Sequence, residues 1–325
     1  MKIVVVFGGF STERAISFQS AKAVYNELSK KYDVIAIDLA YPDDEIVDFE
    51  YREAEKSNYN IISSFLKRLN SINPDKIFIG LHGSEGENGQ IQSLFELTGF
   101  NYYSCDSISS SLSMDKFRSK IVVSKFGIKT AKSDFITKEN FSLDYLKLIT
   151  KDYSFPFVVK ANSQGSSVGV FIVKSNNELE SAYNSLIVLD DDFLVEEYIS
   201  GREFSIPILK GKALTPVEIE PIEGFYDYEN KYQEGKTNHY CPARLNKIET
   251  EKIKSDGEKV FSSLGCSHYA RADFILDENG NFNFLEINTL PGMTKLSLMP
   301  ESALSLGISF MELLERIMDI GDSEL

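Results

Sequence analysis

Short apolar runs separated by amphipathic or polar stretches mark the first hundred residues as an α/β unit. Residues 3–7 (IVVVF) are continuously apolar, which is typical of a strand buried on both faces of a parallel sheet. Two more apolar runs, Val34–Asp38 and Lys76–Leu81, predict further strands, and the chain between them favours helices. Strands and helices alternate through about residue 104, which predicts a doubly wound N-terminal domain.

The pattern changes in the rest of the chain, where helices and strands no longer alternate regularly. Residues 109–125 have helical spacing, whereas apolar runs at 131–136, 157–160 and 193–198 predict strands. The run 225–235 (FYDYENKYQEG) is aromatic, charged and without period, so we expect a long loop there. Residues 308–318 predict an amphipathic closing helix. A length of 325 residues is enough for two or three domains.

The stretch RADFILDENGNFNFLEINTLPG, residues 271–292, predicts a β-hairpin with several polar groups on one face. Its Asn279-Gly280 dipeptide fits a two-residue turn. Such a turn places Asp273 opposite Glu286, and Arg271 opposite Asn288. A three-residue turn would scatter these pairs.

Two directly opposed carboxylates repel each other, and a bound cation removes the conflict. Carboxylate and amide oxygens are ligands that Mg²⁺ accepts. The same alternation places Ile275, Phe282 and Phe284 on the polar face. The hairpin therefore predicts a metal site beside an apolar floor, with a solvated polar face as the alternative.

Composition and charge narrow the classes of partner. The formal net charge of −15 argues against nucleic acid, because phosphate backbones are bound by basic surfaces. The three cysteines are scattered and lack metal-ligand spacing, which favours free thiols in a reducing compartment. Neither a signal peptide nor a membrane span is predicted, so we expect a cytoplasmic protein that does not bind membranes.

Two strand-to-helix loops of the first domain contain candidate binding residues. Glu13 follows the Gly8-Gly9 turn, where its carboxylate could either cap the helix or face a ligand. His82 opens the glycine-rich loop HGSEGENG, where a structural and a binding role are about equally expected. A dinucleotide site is disfavoured because the G-x-G-x-x-G pattern is absent.

Two segments of the second half have features of nucleotide sites. Lys160 ends a strand and is followed by the loop ANSQGSSVGV, whose N–H and hydroxyl donors could wrap around phosphates. Glu196 and Glu203 lie in or just after the strand FLVEEY, where free backbone groups could recognise adenine. Each segment alone is equally consistent with a mobile loop or an exposed strand end.

Taken together, these motifs resemble the D-alanine–D-alanine ligases of the ATP-grasp superfamily over nearly the whole chain. The motifs that carry the resemblance are GGFSTERAIS (8–17), HGSEGENG (82–89), SLSMDK (111–116), VVKANSQGSSVGV (158–170), EEYISGREF (196–204), YDYENKY (226–232), RADF (271–274), LEINTLPGMT (285–294) and SLMP (297–300). Nine motifs in the order and spacing of the family are very hard to explain by chance. The resemblance implies an α/β protein with three-domain ATP-grasp architecture, divided at residues 1–104, 105–195 and 196–325.

The resemblance also implies which residues bind ATP and metal. The phosphates would be met by Lys116, Lys160 and the loop hydroxyls of Ser166 and Ser167. The adenosine would be met by Glu196, the backbone of Glu197 and Ile199, Glu203, and an apolar sandwich of Ile275 and Phe284. Two Mg²⁺ or Mn²⁺ ions would be held by Asp273, Glu286 and Asn288.

For the reaction, the family phosphorylates one D-alanine on its carboxylate, and the amine of a second D-alanine displaces phosphate. Glu13 would hold the first ammonium, linked by hydrogen bonds to Ser166 and Tyr232. Lys231 and Tyr232 belong to a mobile loop that excludes water, and Arg271 with the N–H of Gly292 would stabilise the oxyanion. His82, Ser297 and Leu298 would line the amino-acid subsites.

The implied role is synthesis of the peptidoglycan dipeptide, in an enzyme that is often a homodimer. A ligase that joins D-alanine to D-lactate or D-serine is the nearest alternative, because residues 295 and 296 lie near the second subsite. A nucleotide-binding regulatory protein without catalysis is the alternative from another class. It predicts missing metal or phosphate ligands, and none of these is missing from the sequence.

Overall fold

The computed structural model describes residues 1–46, 48–54, 56–166, 168–189, 191–222, 237–295 and 297–321. These residues form three sheets, each with helices packed against it. The order of strands and helices is mixed α/β, as the sequence predicted. Within the described ranges, helices are too short or too polar to cross a membrane.

The first sheet is parallel and has the strand order β2-β1-β3. Its strands are β1 (Lys2–Phe7), β2 (Asp33–Asp38) and β3 (Lys76–Ile79). Its helices are α1 (Arg14–Leu28), α2 (Tyr59–Ile72), α3 (Ser84–Glu87) and α4 (Gln90–Thr98). Residues 3–7 are fully buried, which explains why their run is continuously apolar.

Two short helices, α5 (Ser107–Met114) and α6 (Lys116–Lys125), connect the first sheet to the next. The single helix predicted at 109–125 is therefore interrupted at Asp115. The backbone of Asp115 is extended, and its side chain accepts a hydrogen bond from the N–H of Arg118. This N-cap makes Lys116 the first residue of α6 and directs it toward the centre of the molecule.

The central sheet is antiparallel and has the order β5-β8-β6-β7. Its strands are β5 (Ser133–Ile136), β6 (Phe157–Ala161), β7 (Val170–Val173) and β8 (Phe193–Glu197). Helices α7 (Leu143–Ile149) and α8 (Asn176–Leu186) cover it, and two short 3-10 turns, Lys138–Asn140 and Thr150–Asp152, flank α7.

The third sheet has the order β12-β11-β9-β13-β14-β4, with β10 on the side of β9. Its strands are β4 (Lys129–Thr130), β9 (Gly201–Leu209), β10 (Lys212–Ala213), β11 (Val217–Pro221), β12 (Thr237–Tyr240), β13 (Tyr269–Asp277) and β14 (Phe282–Asn288). Helix α9 (Lys247–Ser263) packs against it, and α10 (Leu298–Ser305) and α11 (Phe310–Ile317) follow. The predicted loop at 225–235 lies outside the described residues.

The last two helices return to the first sheet. Met299, Leu313 and Ile317 belong to the same buried cluster as the residues of β1. The chain after the hairpin therefore completes the N-terminal core, and it fixes the loops of the first sheet next to the end of β14.

The predicted hairpin is present, but its turn has three residues and not the predicted two. The N–H of Asp277 donates to the carbonyl of Asn281, so three residues form the loop, and Gly280 has a φ of 77°. This is the geometry of a three-residue hairpin with glycine in the left-handed region. A β-bulge then restores the register, so that Asp273 lies opposite Glu286, and Arg271 opposite Asn288, as predicted.

The bulge also changes which apolar side chains lie on the polar face of the hairpin, so the predicted apolar floor is wrong. Between the turn and the bulge, Phe282 and Phe284 pair with Leu276 and Phe274, not with residues of the polar face. Both phenylalanines are buried in the core beneath the third sheet. The residue that carries the bulge is Leu285, which is half-buried and belongs to none of the core clusters of the described residues.

Candidate functional site

The predicted site residues converge on a cleft between the three sheets. The loops after β1 and β3 approach it from the N-terminal sheet. The start of α6 and the loop 162–169 approach it from the central part, and β13 and β14 form its other wall. Glu87, Lys116, Gly165, Glu286 and Asn288 line one small cavity, although they come from all three parts of the chain. Ser167, Lys231 and Tyr232 lie outside the described residues.

Glu13 faces the cleft and does not cap its helix. It occupies the N-cap position of α1, but its side chain makes no capping hydrogen bond. Its carboxylate instead accepts a hydrogen bond from the hydroxyl of Ser166, in the loop after β6. A Cβ atom on Gly83 or on Gly165 would lie 2.6 Å from Oε2 of Glu13, so a side chain at either glycine would displace this carboxylate oxygen.

A second buried carboxyl, which the sequence analysis did not select, lies beside Glu13. Burial first, and then the charge of Glu13, raise the pKa of Glu87 to about 8. Its Oε2 accepts a hydrogen bond of 2.9 Å from the N–H of Gly83, and its Oε1 is buried without a partner among the described residues. Two glutamates within HGSEGENG were the available signal, but burial decides which of them faces inward.

His82 is buried and links the first sheet to the chain that follows the hairpin. Its Nε2 lies 2.8 Å from the hydroxyl of Ser20, which accepts a hydrogen bond of 3.3 Å from the N–H of Met293. Burial lowers the pKa of His82 to about 4, so the imidazole is neutral near pH 7. It therefore acts through hydrogen bonds and shape rather than through charge.

This burial predicts that acid destabilises the protein through His82. An ordinary histidine in the unfolded chain takes up a proton near pH 6.5, whereas the folded protein resists protonation until about pH 4. Stability is therefore lost as the pH falls between these values, by about 2 kcal/mol at pH 5. We expect His82→Gln to reduce the decrease in unfolding free energy between pH 7 and pH 5 by that amount in urea titrations. An unchanged decrease would show that His82 does not titrate in this way.

The two predicted phosphate lysines pair with carboxylates of different sheets. Nζ of Lys116 is 3.1 Å from Oε2 of Glu286 and donates to the carbonyl of Gln164 at 2.7 Å. Nζ of Lys160 is 2.8 Å from Oε2 of Glu196. A third lysine, Lys120, donates to the other oxygen of Glu196 and was not predicted. Burial would raise the pKa of Glu196, but the two lysines hold it at about 2.

The hairpin brings together the predicted metal ligands and a balancing positive charge. Arg271 makes two contacts with Asp273, Nε to Oδ1 at 3.1 Å and Nη2 to Oδ2 at 2.8 Å. The hydroxyl of Ser205 donates to the same Oδ1 at 2.7 Å. With Lys116 on Glu286, each opposed carboxylate has a cation of the protein as its partner. Side chains of the protein therefore offset the repulsion that suggested a metal, and the metal site itself stays a prediction.

The donor set of this face still fits a hard cation. Asp273 and Glu286 are directly opposed, and Asn288 lies on the same face one pair further along. The Oδ1 of Asn288 accepts a hydrogen bond of 2.8 Å from the N–H of Leu290. The described residues contain no group of three His, Cys, Asp or Glu that could hold a metal, so an amide or ligand oxygens must complete any site here.

The predicted adenine-binding residues lie at the exit of β8. Glu197 and Ile199 line a cavity of about 310 Å³, together with the tip of the hairpin. Glu203 lies opposite Ile275 where β9 pairs with β13. Phe284, which was predicted to sandwich a purine with Ile275, faces the core instead. Leu285 is the apolar side chain of β14 that the bulge leaves outside the core.

The turn after β14 holds the remaining predicted residues. The hydroxyl of Ser297 contacts Thr294 twice, at its N–H (3.0 Å) and at its Oγ1 (2.9 Å). A Cβ atom on Gly292 would lie 2.8 Å from Oγ of Ser297, so a side chain there would displace the serine. The side chain of Leu298 packs with Val217 and Ile219, which leaves only its backbone N–H, at the start of α10, for a ligand.

Comparisons with known proteins agree with this geometry. Residues 2–105 match the family profile described as the D-ala D-ala ligase N-terminus, and residues 122–319 match the D-ala D-ala ligase C-terminus. A D-alanine–D-alanine ligase of Citrifermentans bemidjiense is 39% identical over 98% of this chain and 95% of that protein.

Two solved structures are similar to this fold. The D-alanine–D-alanine ligase of Bacillus anthracis, complexed with ATP, has a TM-score of 0.78 and 30% identity over 98% of this chain and 96% of that one. The VanG D-Ala:D-Ser ligase of Enterococcus faecalis has a TM-score of 0.79 and 30% identity over 98% of both chains.

Proposed function

Because the chain belongs to the D-alanine–D-alanine ligase family, we infer that it joins two D-alanines with ATP to form D-alanyl-D-alanine for peptidoglycan. The observation that carries this inference is the convergence in one cleft of a carboxylate for an ammonium, lysines for phosphates, and opposed carboxylates for a metal. Glu13, Lys116, Lys160, Asp273 and Glu286 supply these groups.

We propose that ATP lies along the hairpin, with adenine at the exit of β8 and its phosphates between Lys116 and Lys160. The backbone of Glu197 and Ile199 and the carboxylate of Glu196 would recognise adenine, and Glu203 the ribose. Ile275 and Leu285 replace the predicted pair of Ile275 and Phe284 as the apolar floor, because both belong to the hairpin and neither is part of a core cluster. Ser166 and Ser167 would donate to the phosphates.

Asp273, Glu286 and Asn288 would hold Mg²⁺ or Mn²⁺. Such ions neutralise phosphate charge and orient the terminal phosphate for transfer. In the described geometry Arg271 and Lys116 occupy the two carboxylates, so these cations would turn toward ATP and substrate when metal takes their place. Arg271 and Lys116 thus balance the two hairpin carboxylates before the ligands arrive.

For the first step, Glu13 would pair with the ammonium of one D-alanine, because its buried carboxylate faces the cleft and Ser166 fixes its orientation. The carboxylate of that D-alanine attacks the terminal phosphorus of ATP, which gives an acyl phosphate and ADP. The amine of the second D-alanine then attacks the carbonyl carbon and phosphate leaves. Arg271 and the N–H of Gly292 would stabilise the oxyanion of the tetrahedral intermediate, which forms when the amine attacks and collapses when phosphate leaves.

The second D-alanine would lie near His82, Ser297 and the N–H of Leu298. Lys231 and Tyr232, in the segment outside the described residues, are proposed to close over the acyl phosphate and exclude water. We also propose that the enzyme works in the cytoplasm as a homodimer, with D-alanine and ATP as its ligands and without nucleic acid or membrane.

Product analysis tests this function. Pure protein with ATP, Mg²⁺ and D-alanine is expected to release phosphate and dipeptide in equal amounts, and no D-alanine-dependent release would refute it. In a second experiment, D-serine and D-lactate are offered together with D-alanine as competing acceptors for the second position. The similarity to a D-Ala:D-Ser ligase makes this competition necessary, and a dominant D-serine or ester product would reassign the acceptor.

A further inference from the structure

Lys120 is a buried lysine in the ATP cleft to which the reaction described above gives no role. It lies on α6, and its side chain is 2% exposed. Its Nζ donates to Oε1 of Glu196, and Nζ of Lys160 lies 2.8 Å from Oε2 of the same carboxylate. Each oxygen of one glutamate therefore has its own lysine.

The charge of this cluster depends on Lys120. When Lys120 is protonated, two lysines and one glutamate leave one net positive charge in a buried site, whereas Glu196 and Lys160 alone would neutralise each other. Burial lowers the pKa of Lys120 to about 7, with Glu196 opposing this shift and the charge of Lys160 adding to it. Burying an ammonium group costs free energy, which points to a functional reason for the position of Lys120.

Helix α6 connects this cluster to the other wall of the cleft. Lys116 and Lys120 are four residues apart and therefore lie on one face of the helix. Lys116 contacts Glu286 on the hairpin, while Lys120 contacts Glu196 on the central sheet. One helix turn thus places a cation against each of the two walls between which ATP is proposed to bind.

We propose that Lys120 is a positioning residue for ATP. By occupying one oxygen of Glu196, it prevents the carboxylate from neutralising Lys160, which keeps a positive charge directed at the phosphates. It also fixes the orientation of Glu196 for the adenine amino group. This inference rests on the proposed ATP-dependent function. It gives a role to Lys120, for which the sequence motifs predicted none.

The test compares Lys120→Met with Lys125→Met, a control at the exposed last residue of the same helix. We expect Lys120→Met to raise KM for ATP about tenfold, with KM for D-alanine unchanged, because one buried charge interaction with the nucleotide is weakened. Calorimetric titration with ATP and Mg²⁺ should show the same loss of affinity without turnover. Equal ATP binding by the two variants would overturn the proposal.

A double-variant cycle separates this role from a merely structural one. In a Glu196→Gln background the carboxylate that pairs with Lys160 is absent, so adding Lys120→Met should change ATP affinity by less than about twofold. A full tenfold loss in that background would show that Lys120 acts independently of Glu196 and would contradict the proposal. If Lys120→Met alone does not fold, comparing Glu196→Gln with the double variant still tests the proposal. Neither of these two variants contains the Glu196 carboxylate that Lys120 would leave without its second partner.

The failure of this inference can be told apart from the failure of the proposed function. Wild-type protein that binds ATP but releases no phosphate with D-alanine would refute the ligase reaction, and the calorimetric comparison would still test Lys120. Active wild-type protein with unaltered ATP affinity in Lys120→Met would refute the role of Lys120 alone.

Discussion

Replacing Glu286 by glutamine is expected to reduce turnover by about a thousandfold or more, with the fold intact. Glutamine keeps the size of the side chain but removes the charge that faces Asp273 across the hairpin and Lys116 across the cleft. A lost metal ligand at a phosphoryl-transfer site removes several kcal/mol of transition-state stabilisation, and about 4 kcal/mol corresponds to a thousandfold in rate.

The measurement for Glu286→Gln is phosphate release at saturating D-alanine over a range of Mg²⁺ concentrations. The control is Glu251→Gln, at an exposed glutamate on α9, the helix that packs against the same sheet, and it should behave as wild type. Because Glu286 is only part-buried, we expect little change in thermal stability. Wild-type turnover in Glu286→Gln would rule out a metal ligand at this position.

Replacing Arg271 by methionine is expected to lower kcat about 100- to 1000-fold, the usual effect of removing one oxyanion donor. Arg271 lies at the substrate end of the hairpin, opposite Asn288, and its guanidinium is held by both oxygens of Asp273. Because the arginine is proposed to act on the intermediate and not on adenine, ATP affinity should change far less than kcat.

Arg271→Lys is the matched variant, because it retains the charge and loses the planar fork. Its kcat is expected to lie between those of Arg271→Met and wild type. Equal losses in the two variants would mean that the fork alone matters, and no loss in either would remove Arg271 from the reaction. Calorimetric ATP titration of both variants distinguishes a catalytic effect from a collapsed nucleotide site.

Local sequence patterns predicted the hairpin correctly only in part, for a physical reason. Asn279-Gly280 indicated a turn, and the pairing of Asp273 with Glu286 is confirmed, although the turn has three residues. An extra residue at Leu285 offsets the longer turn, and no local propensity marks a bulge at this leucine. The same extra residue moved Phe282 and Phe284 to the core face, so the predicted floor was wrong.

The residues that were missed depend on long-range contacts. Lys120 and Glu87 look like ordinary surface residues of short helices, and only the packing of distant segments buries them. Lys120 donates to Glu196, which is 76 positions away in the sequence, and Glu87 lies beside the charge of Glu13. The Asp115 cap is the converse case, since a single local hydrogen bond splits a helix that apolar spacing predicted as one.

Contacts in the folded protein decide where two segments lie that the separate motifs left undecided. Whether Glu13 capped α1 or faced a ligand could not be settled from its position, whereas its contact with Ser166 places it in the cleft. The contact of the Lys116 ammonium with the carbonyl of Gln164 likewise brings the loop at 161–170 to the cleft, while its role as a phosphate loop stays a prediction.

In the proposed reaction, phosphate is transferred to the carboxylate of the first D-alanine and later displaced by an amine. D-Alanine with heavy oxygen in its carboxylate tests this directly. One carboxylate oxygen becomes the bridge of the acyl phosphate and leaves with the phosphorus, so the released phosphate should contain one heavy oxygen atom for each dipeptide formed. Released phosphate that contains no label would contradict an acyl phosphate at this site.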